Sequence, residues 1–438
     1  TTVAGTAAAN GLATGHYAGV APKSDLIVVA NDLARSNWTS TVVDAVSYII
    51  GQAQLLGRPV AINISLGDYL GSHDGLDPAA LMIDQMLTAE PGRVLVCAAG
   101  NSGNFAPYHL RTQVTADTSF TWFAYNANSI LNIGAVYFDL WADVAEFDSV
   151  RYSIGADRQA GGYAYRGSIP FRSIQGTLGQ IVVDTLWSID GHKLGRVFTQ
   201  AEQRDGQYHL EVYIPQPDSA GQLYYRFSTV GSGRFDAWSS DVFGTSKIVA
   251  AVPAVADYPP MEHYVSPDSM MSTVDSWACS PQVITVGNYN NELSYTDALG
   301  NVQTLPGTEG MISATSSRGP TRTGALKPDL AAPGDITMSA GPLAVMQALL
   351  ANGQGYKLAP DSLHMRNGGT SIASPVVAGT AALLLEKCPR ATNIMVRDAI
   401  NGAAFSDIFT GSVPNERFGH GKVNAFNAMI ATNVVVPI

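Results

Sequence analysis

The sequence is poor in cysteine. Cys97, Cys279 and Cys388 are too few and too scattered for a disulfide framework or a zinc site, and they read as three small buried residues. No apolar run approaches the ~18 residues of a spanning helix, so no membrane span is expected. Charge is sparse as well, at 14% of residues. With 25 basic and 36 acidic side chains the net charge is −11, which argues against a general nucleic-acid or anionic-membrane binder. There is no initiator methionine: the chain opens inside the small-residue run TTVAGTAAANG, and the expectation is that a segment has been removed upstream. What remains is 438 residues, 46% hydrophobic, enough for two or three domains with substantial cores.

The first hundred residues alternate helical and strand-like patterns. Thr2–Asn10 reads as an Ala-rich helix and Asp25–Ala30 (DLIVVA) as a buried strand. Helical spacing follows over Thr39–Leu56, a strand over Pro59–Leu66, a helix over Pro78–Thr88 and a strand over Arg93–Ala98. Continuous apolar strands between amphipathic helices indicate a parallel sheet covered on both faces. The texture changes after Gly103. Residues 105–262 carry short alternating runs such as TSFTWFAY and GQYHLEVYI between turn residues, the pattern of an antiparallel β-sandwich or jelly roll. The α/β texture returns at Gln282–Val286, with helices expected over Thr370–Lys387 and Asn393–Asn401. The expected division is 1–104, 105–264 and 265–438, an α/β fold interrupted by an all-β domain.

Three segments carry chemistry. In NGGTSIASPVVAG (367–379), two glycines permit a sharp turn, Thr370 is placed to cap a helix, and Ser371 falls in its first turn. There the hydroxyl faces the positive end of the helix dipole and its own N–H is one of the unpaired donors, an arrangement suited to a nucleophile whose product is an oxyanion. Pro375 is read as lying near enough to the helix start that its missing donor costs little. In AAGNSG (98–103), Asn101 stands at the carboxyl end of a strand and offers a neutral amide donor, with Ala99 and Gly100 beside it. In AINISLG (61–67), Ser65, Leu66 and Gly67 end an extended segment able to pair with a substrate strand. Taken singly, each also reads as a cap, a turn or a core strand.

In this order the three blocks resemble the subtilisin-like serine proteases, or subtilases: GTSxASP-VAG the nucleophile motif, AAGNSG the oxyanion-hole motif, NISLG the substrate-binding strand. YAGVAPKSDLIVV (17–29), SPQVITVG (280–287), SSRGPTRTGALKPDLAAPG (316–334) and GHGKVNAFNA (419–428) extend the resemblance over about 1–104 and 265–438. It implies a subtilisin-like parallel sheet sandwiched by helices and a serine endopeptidase acting on polypeptide through an acyl-enzyme. Ser371 would be nucleophile, Asn101 the oxyanion donor, and Ser65, Leu66, Gly67, Ala99 and Gly100 would bind substrate. The position of the insert is similar to the jelly-roll insertions of some bacterial subtilases, including clostridial germination proteases.

The resemblance also exposes a gap. Thr1–Gly5 matches the T-x-V-A-G portion of the motif whose first residue is the catalytic His, and none of the eight histidines stands in an HGT context. His364 and His420 fall nearest in the core region, without the motif of a base. A serine hydroxyl needs a base to take its proton and a carboxylate to orient that base. In subtilisin, loss of the Ser or His costs on the order of 10⁶ in turnover. The expectation is therefore a chain almost inactive by itself, either cut from a complete protease or still bound by its own N-terminal segment carrying Asp and His, with that segment or a propeptide as its partner. The alternative is a noncatalytic subtilase-like scaffold acting as a binding module. No cofactor is required. No D-x-[DN]-x-[DN]-G loop is present, though Gly11–Ala18 leaves calcium open through its carbonyls. The acidic composition is compatible with a secreted bacterial protein.

Overall fold

A computed structural model of the chain describes residues 1–32, 38–67, 69–104, 108–128, 133–215, 222–239, 246–268 and 271–431. They fall into two compact units. The first comprises Thr1–Gly67, His73–Asn104 and Ser272–Ile438; the second comprises Asp68–Ser72 and Phe105–Met271. The opening of the expected insertion, residues 105–107, lies outside the described residues.

In the first unit four parallel strands stand in the order Val60–Ile64, Arg93–Ala98, Ile284–Asn290, Leu330–Asp335. Val60 pairs with Arg93, Val96 with Ile284 and Val286 with Leu330. The run RVLVCA is buried at every position because side chains alternate between two covered faces. Val94 and Val96 face Ala373, Val377, Ala381 and Leu384 of the Thr370–Lys387 helix. Leu95 and Cys97 join Ile62 and Ile64 against Val43, Val46, Ile83 and Leu87 from the helices Trp38–Leu55 and Pro78–Thr88. Pro78 opens the latter helix and Asp77 accepts from the Ala80 N–H at 3.0 Å, satisfying one of the donors a helix start leaves unpaired. Gly379 lets the long helix approach the Thr2–Ala8 helix: a Cβ there would stand 2.7 Å from Val20 Cβ and 3.0 Å from the Ala7 carbonyl oxygen.

Asp25–Ala30 corrects the sequence reading. It forms no strand, and Leu26 and Val28 are 57% and 77% exposed. An apolar run becomes a strand only when a sheet edge receives it. Val60–Ile64 ends the described sheet on that side, and a cavity of about 1010 Å³ lies among Asp25–Val29, Val60–Leu66, Thr1–Ala8 and the Ala378–Pro389 end of the long helix.

The second unit is antiparallel. Its main path runs Tyr165–Ser168, Arg151–Arg158, Leu223–Val230, Ser119–Asn128, Ile133–Asp143, Gln207–Pro215, Lys193–Arg204, Ile181–Trp187, with His109–Val114 paired to Gly233–Ser239 alongside. Phe123 stacks on Phe138 at 3.8 Å within a core that includes Phe147, Tyr152, Phe227 and Phe235. His109 is buried between two carboxylates, Asp236 at 2.8 Å and Asp268 closer still.

Candidate active site

The long helix begins at Thr370, and Gly369 before it takes φ 89° and ψ 172°. A side chain there would be strained by that backbone and would meet the Asn101 amide. The expected cap is not the one observed. Thr370 lies inside the first turn, and two acceptors from elsewhere take the opening N–H groups. Asp335 Oδ1 accepts from Gly369 at 2.8 Å and Asn101 Oδ1 accepts from Thr370 at 3.0 Å. Asp335 is itself held by Ser313 Oγ at 2.6 Å and Asn288 Nδ2 at 2.8 Å. Ile372 and Ala373 donate back to Gly369 O. Among the described residues no acceptor takes the Ser371 N–H.

Thr370 is fully buried, and its hydroxyl links the two segments: it accepts from the Gly100 N–H at 3.1 Å and donates to Asn101 Oδ1 at 3.1 Å. With Oδ1 accepting from two donors, the orientation of the Asn101 amide is set, on an exposed residue. Ala99 is tied to the sheet through its N–H to Val286 O at 3.0 Å, and the Gly100 carbonyl accepts from Ser317 at 3.0 Å.

Pro375 acts differently from expectation. It is the sixth residue of the helix, past the first turn, and lacks the N–H that would bond the Ser371 carbonyl one turn back. Ser65 Oγ supplies that donor at 2.8 Å and lies 3.0 Å from Ser374 Oγ. In return Ser371 Oγ donates to the Ser65 carbonyl at 3.3 Å. Ser65 and Ser371 are thus side by side, with Leu66 and the exposed Gly67 continuing the segment. Asp275 packs beneath: its N–H donates to Ala99 O at 3.1 Å, and a Cβ on Gly67 would fall 1.6 Å from its Oδ2.

No histidine enters the hydrogen bonds of Ser371 among the described residues. His364 is engaged elsewhere: Nδ1 bonds Asp361 at 2.7 Å and Tyr17 packs on the ring at 4.5 Å. Burial pushes the Asp361 carboxyl up, but the Leu363 N–H and the His364 ring outweigh it and hold it below the usual carboxylate range. Among the described residues no three His, Cys, Asp or Glu side chains gather as a metal site, and no helix is long and apolar enough to cross a membrane.

The sequence reading thus named Ser371, Asn101, Ser65, Leu66, Gly67, Ala99 and Gly100, and these lie around one helix N-terminus. It missed Asp335 and Asp275. Asp335 carried a signal, an acidic residue right after APG at a strand end; Asp275 carried none, because its burial depends on tertiary packing.

The site thus sets a serine at the start of a buried helix beside an asparagine that follows a parallel strand. The profile described as Subtilase family (peptidase S8) matches residues 1–229 and 265–421, and the chain belongs to that family. It is 33% identical over 164 residues to the serine protease AprX of Bacillus subtilis (strain 168), covering 37% of this chain. The match spans a third of that relative's length (33%). In fold it is similar to the CspB protease of Clostridium perfringens, with a TM-score of 0.67 and 23% identity over 98% of this chain and 80% of that one.

Proposed function

We propose that the chain is the nucleophile-bearing part of a subtilisin-like serine endopeptidase. An extended polypeptide lies along Ser65–Gly67 and Ala99–Gly100 with its scissile carbonyl at Ser371. Ser371 Oγ attacks the carbonyl carbon while a base takes its proton. The carbonyl oxygen becomes an oxyanion, stabilised by the Ser371 N–H and the Asn101 Nδ2 donors. The C–N bond then breaks, the amine leaves with the proton, and water hydrolyses the acyl-enzyme. The observation that carries this reading is the double acceptance at Asn101 Oδ1, because it ties the Asn101 amide to the helix start that carries Ser371.

The base and its orienting Asp belong, in this reading, to an upstream segment of the same protein, and the 438-residue chain alone is nearly inactive. The cavity beside Val60–Ile64 supports that assignment. It offers a sheet edge, apolar walls, and a buried Asn63 Oδ1 without a hydrogen-bond partner. An extended segment would complete these features by β-augmentation. The second unit is read as an inserted jelly-roll-like domain within the division 1–104, 105–264 and 265–438, and the protein as secreted. A fluorophosphonate reacts with an activated serine and not with a noncatalytic scaffold. Labelling of Ser371 in protein reassembled with its N-terminal part supports the protease reading; no labelling there favours a binding module.

A further inference from the structure

We infer that the Leu343–Ala351 helix is a docking surface for a second copy of this chain, the two helices packing antiparallel across a two-fold axis at Gln347. The inference goes beyond the peptidase reading and does not depend on it.

The helix, LAVMQALLA, interrupts the hairpin formed by Thr337–Ala340 and His364–Asn367. Every residue of it except Gln347 is apolar. A helix apolar all round is ordinarily enclosed on every side. Here Met346 is the one buried residue of the nine. It packs on Gly341, where a Cβ would meet its sulfur at 2.5 Å. Leu343 is 64% exposed, and Val345 and Leu350 are 45% exposed each. Leu350 and Leu299 stand together over Gly355, 3.4 Å and 3.8 Å from a Cβ built there. Leu299 is itself 67% exposed, so the apolar surface continues onto the turn between Ser294–Thr296 and Val302–Thr304.

Charge and spacing select the occupant. Residues 336–356 contain no Asp, Glu, Lys, Arg or His, so a charged partner finds nothing to pair with. A helix that lies on lipid carries basic residues beside its apolar face, and this one has none. A second copy brings the same uncharged surface, at a place where the net charge of −11 does not hold copies apart. The pattern is also self-complementary. Leu343, Gln347 and Leu350 follow the i, i+4, i+7 spacing of one seam. Gln347 is the middle residue of the helix, so an antiparallel copy sets Leu343 against the partner's Leu350 and Gln347 against the partner's Gln347. Each amide both donates and accepts, so the two can bond each other, and a single polar residue in an apolar seam fixes its register. Ala344, Ala348 and Ala351 run beside the seam, all exposed, and allow the backbones to approach. With Leu299 and Val345 these residues offer on the order of 600 Å² per copy, the lower end of what holds a specific dimer, so the association is weak and concentration-dependent.

The test is sedimentation equilibrium of the full chain from about 1 µM to about 100 µM. The mass is expected to rise from one copy toward two. Added salt, which screens the net charge, should leave the association intact or strengthen it. Gln347→Glu and Gln347→Lys each set like charges face to face and should weaken association at least about tenfold. Mixed in equal amounts, the two variants should return to within about threefold of the unsubstituted chain, a recovery that also shows both to be folded. A mass of one copy at every concentration overturns the proposal. An association that neither substitution weakens overturns it, as does one that the mixture fails to restore. Flotation of single copies with phosphatidylcholine vesicles assigns the face to lipid and overturns it as well.

Discussion

Ser65 and Ser371 each hold the other's backbone carbonyl through a side-chain hydroxyl, at 2.8 Å from Ser65 and 3.3 Å from Ser371. The exchange exists because Pro375 withholds the helical N–H from Ser371. Removing the Ser65 hydroxyl leaves that carbonyl without its donor, at a cost of about 1–2 kcal/mol. Ser65→Ala should therefore destabilise the chain. Pro375→Ala restores the missing N–H, so it should recover part of the loss in the double variant. Urea denaturation of both single variants and the double one measures the coupling. Additivity within roughly 0.5 kcal/mol would contradict the account.

Asp335 ties the turn before Ser371 to the ends of two strands through Gly369, Ser313 and Asn288. Asp335→Ala should lose about 2–3 kcal/mol, the scale of charge-assisted hydrogen bonds. Asp335→Asn keeps one acceptor oxygen and should lose less. Equal losses in thermal unfolding would show that the carboxylate's hydrogen bonds do not order this turn.

Burial pushes the Asp84 carboxyl up to about 6, against a hydrogen bond from Ser280 at 2.5 Å. A carboxyl raised by folding binds its proton more tightly in the native state, so stability falls as pH rises from about 4 through 6. Asp84→Asn keeps an acceptor for Ser280 and loses the titration. Its melting temperature should gain on that of the unsubstituted chain between pH 4 and pH 7, and a constant difference would count against the assignment.

In the second unit, burial would lower His109, but its bonds to Asp236 and Asp268 outweigh that and raise it. The sign is the same as for Asp84: a raised histidine stabilises fully below its unfolded value near 6.5 and loses this as pH climbs through the folded one. His109→Gln should cost most near pH 6 and progressively less in alkali. Hydrogen exchange along His109–Val114 and Gly233–Ser239, which pair directly, reads the effect. A cost independent of pH would assign His109 a packing role only.

Much of the first unit was legible because its signals are local. RVLVCA declares a strand covered on both faces, and GTSIASP declares a turn into a buried helix. Asp25–Ala30 was misread for the complementary reason: its composition states that it can be a strand, while pairing depends on a neighbour that composition cannot supply. The cap was misassigned because Thr370 has the cap chemistry locally, yet the acceptors arrive from Asn101 and Asp335, distant in sequence. Pro375 likewise looked innocuous until its turn number placed the lost bond on Ser371.

The account's central claim is that Ser371 is a nucleophile awaiting its base. The most direct measurement is the rate at which a fluorophosphonate labels Ser371, located by mass spectrometry, in the chain alone and in chain reassembled with an N-terminal segment bearing a D-[ST]-G strand and an HG pair. The account predicts labelling near background for the chain alone, rapid labelling after reassembly, and none in Ser371→Ala. Rapid labelling of the chain alone, or none at Ser371 after reassembly, would contradict it.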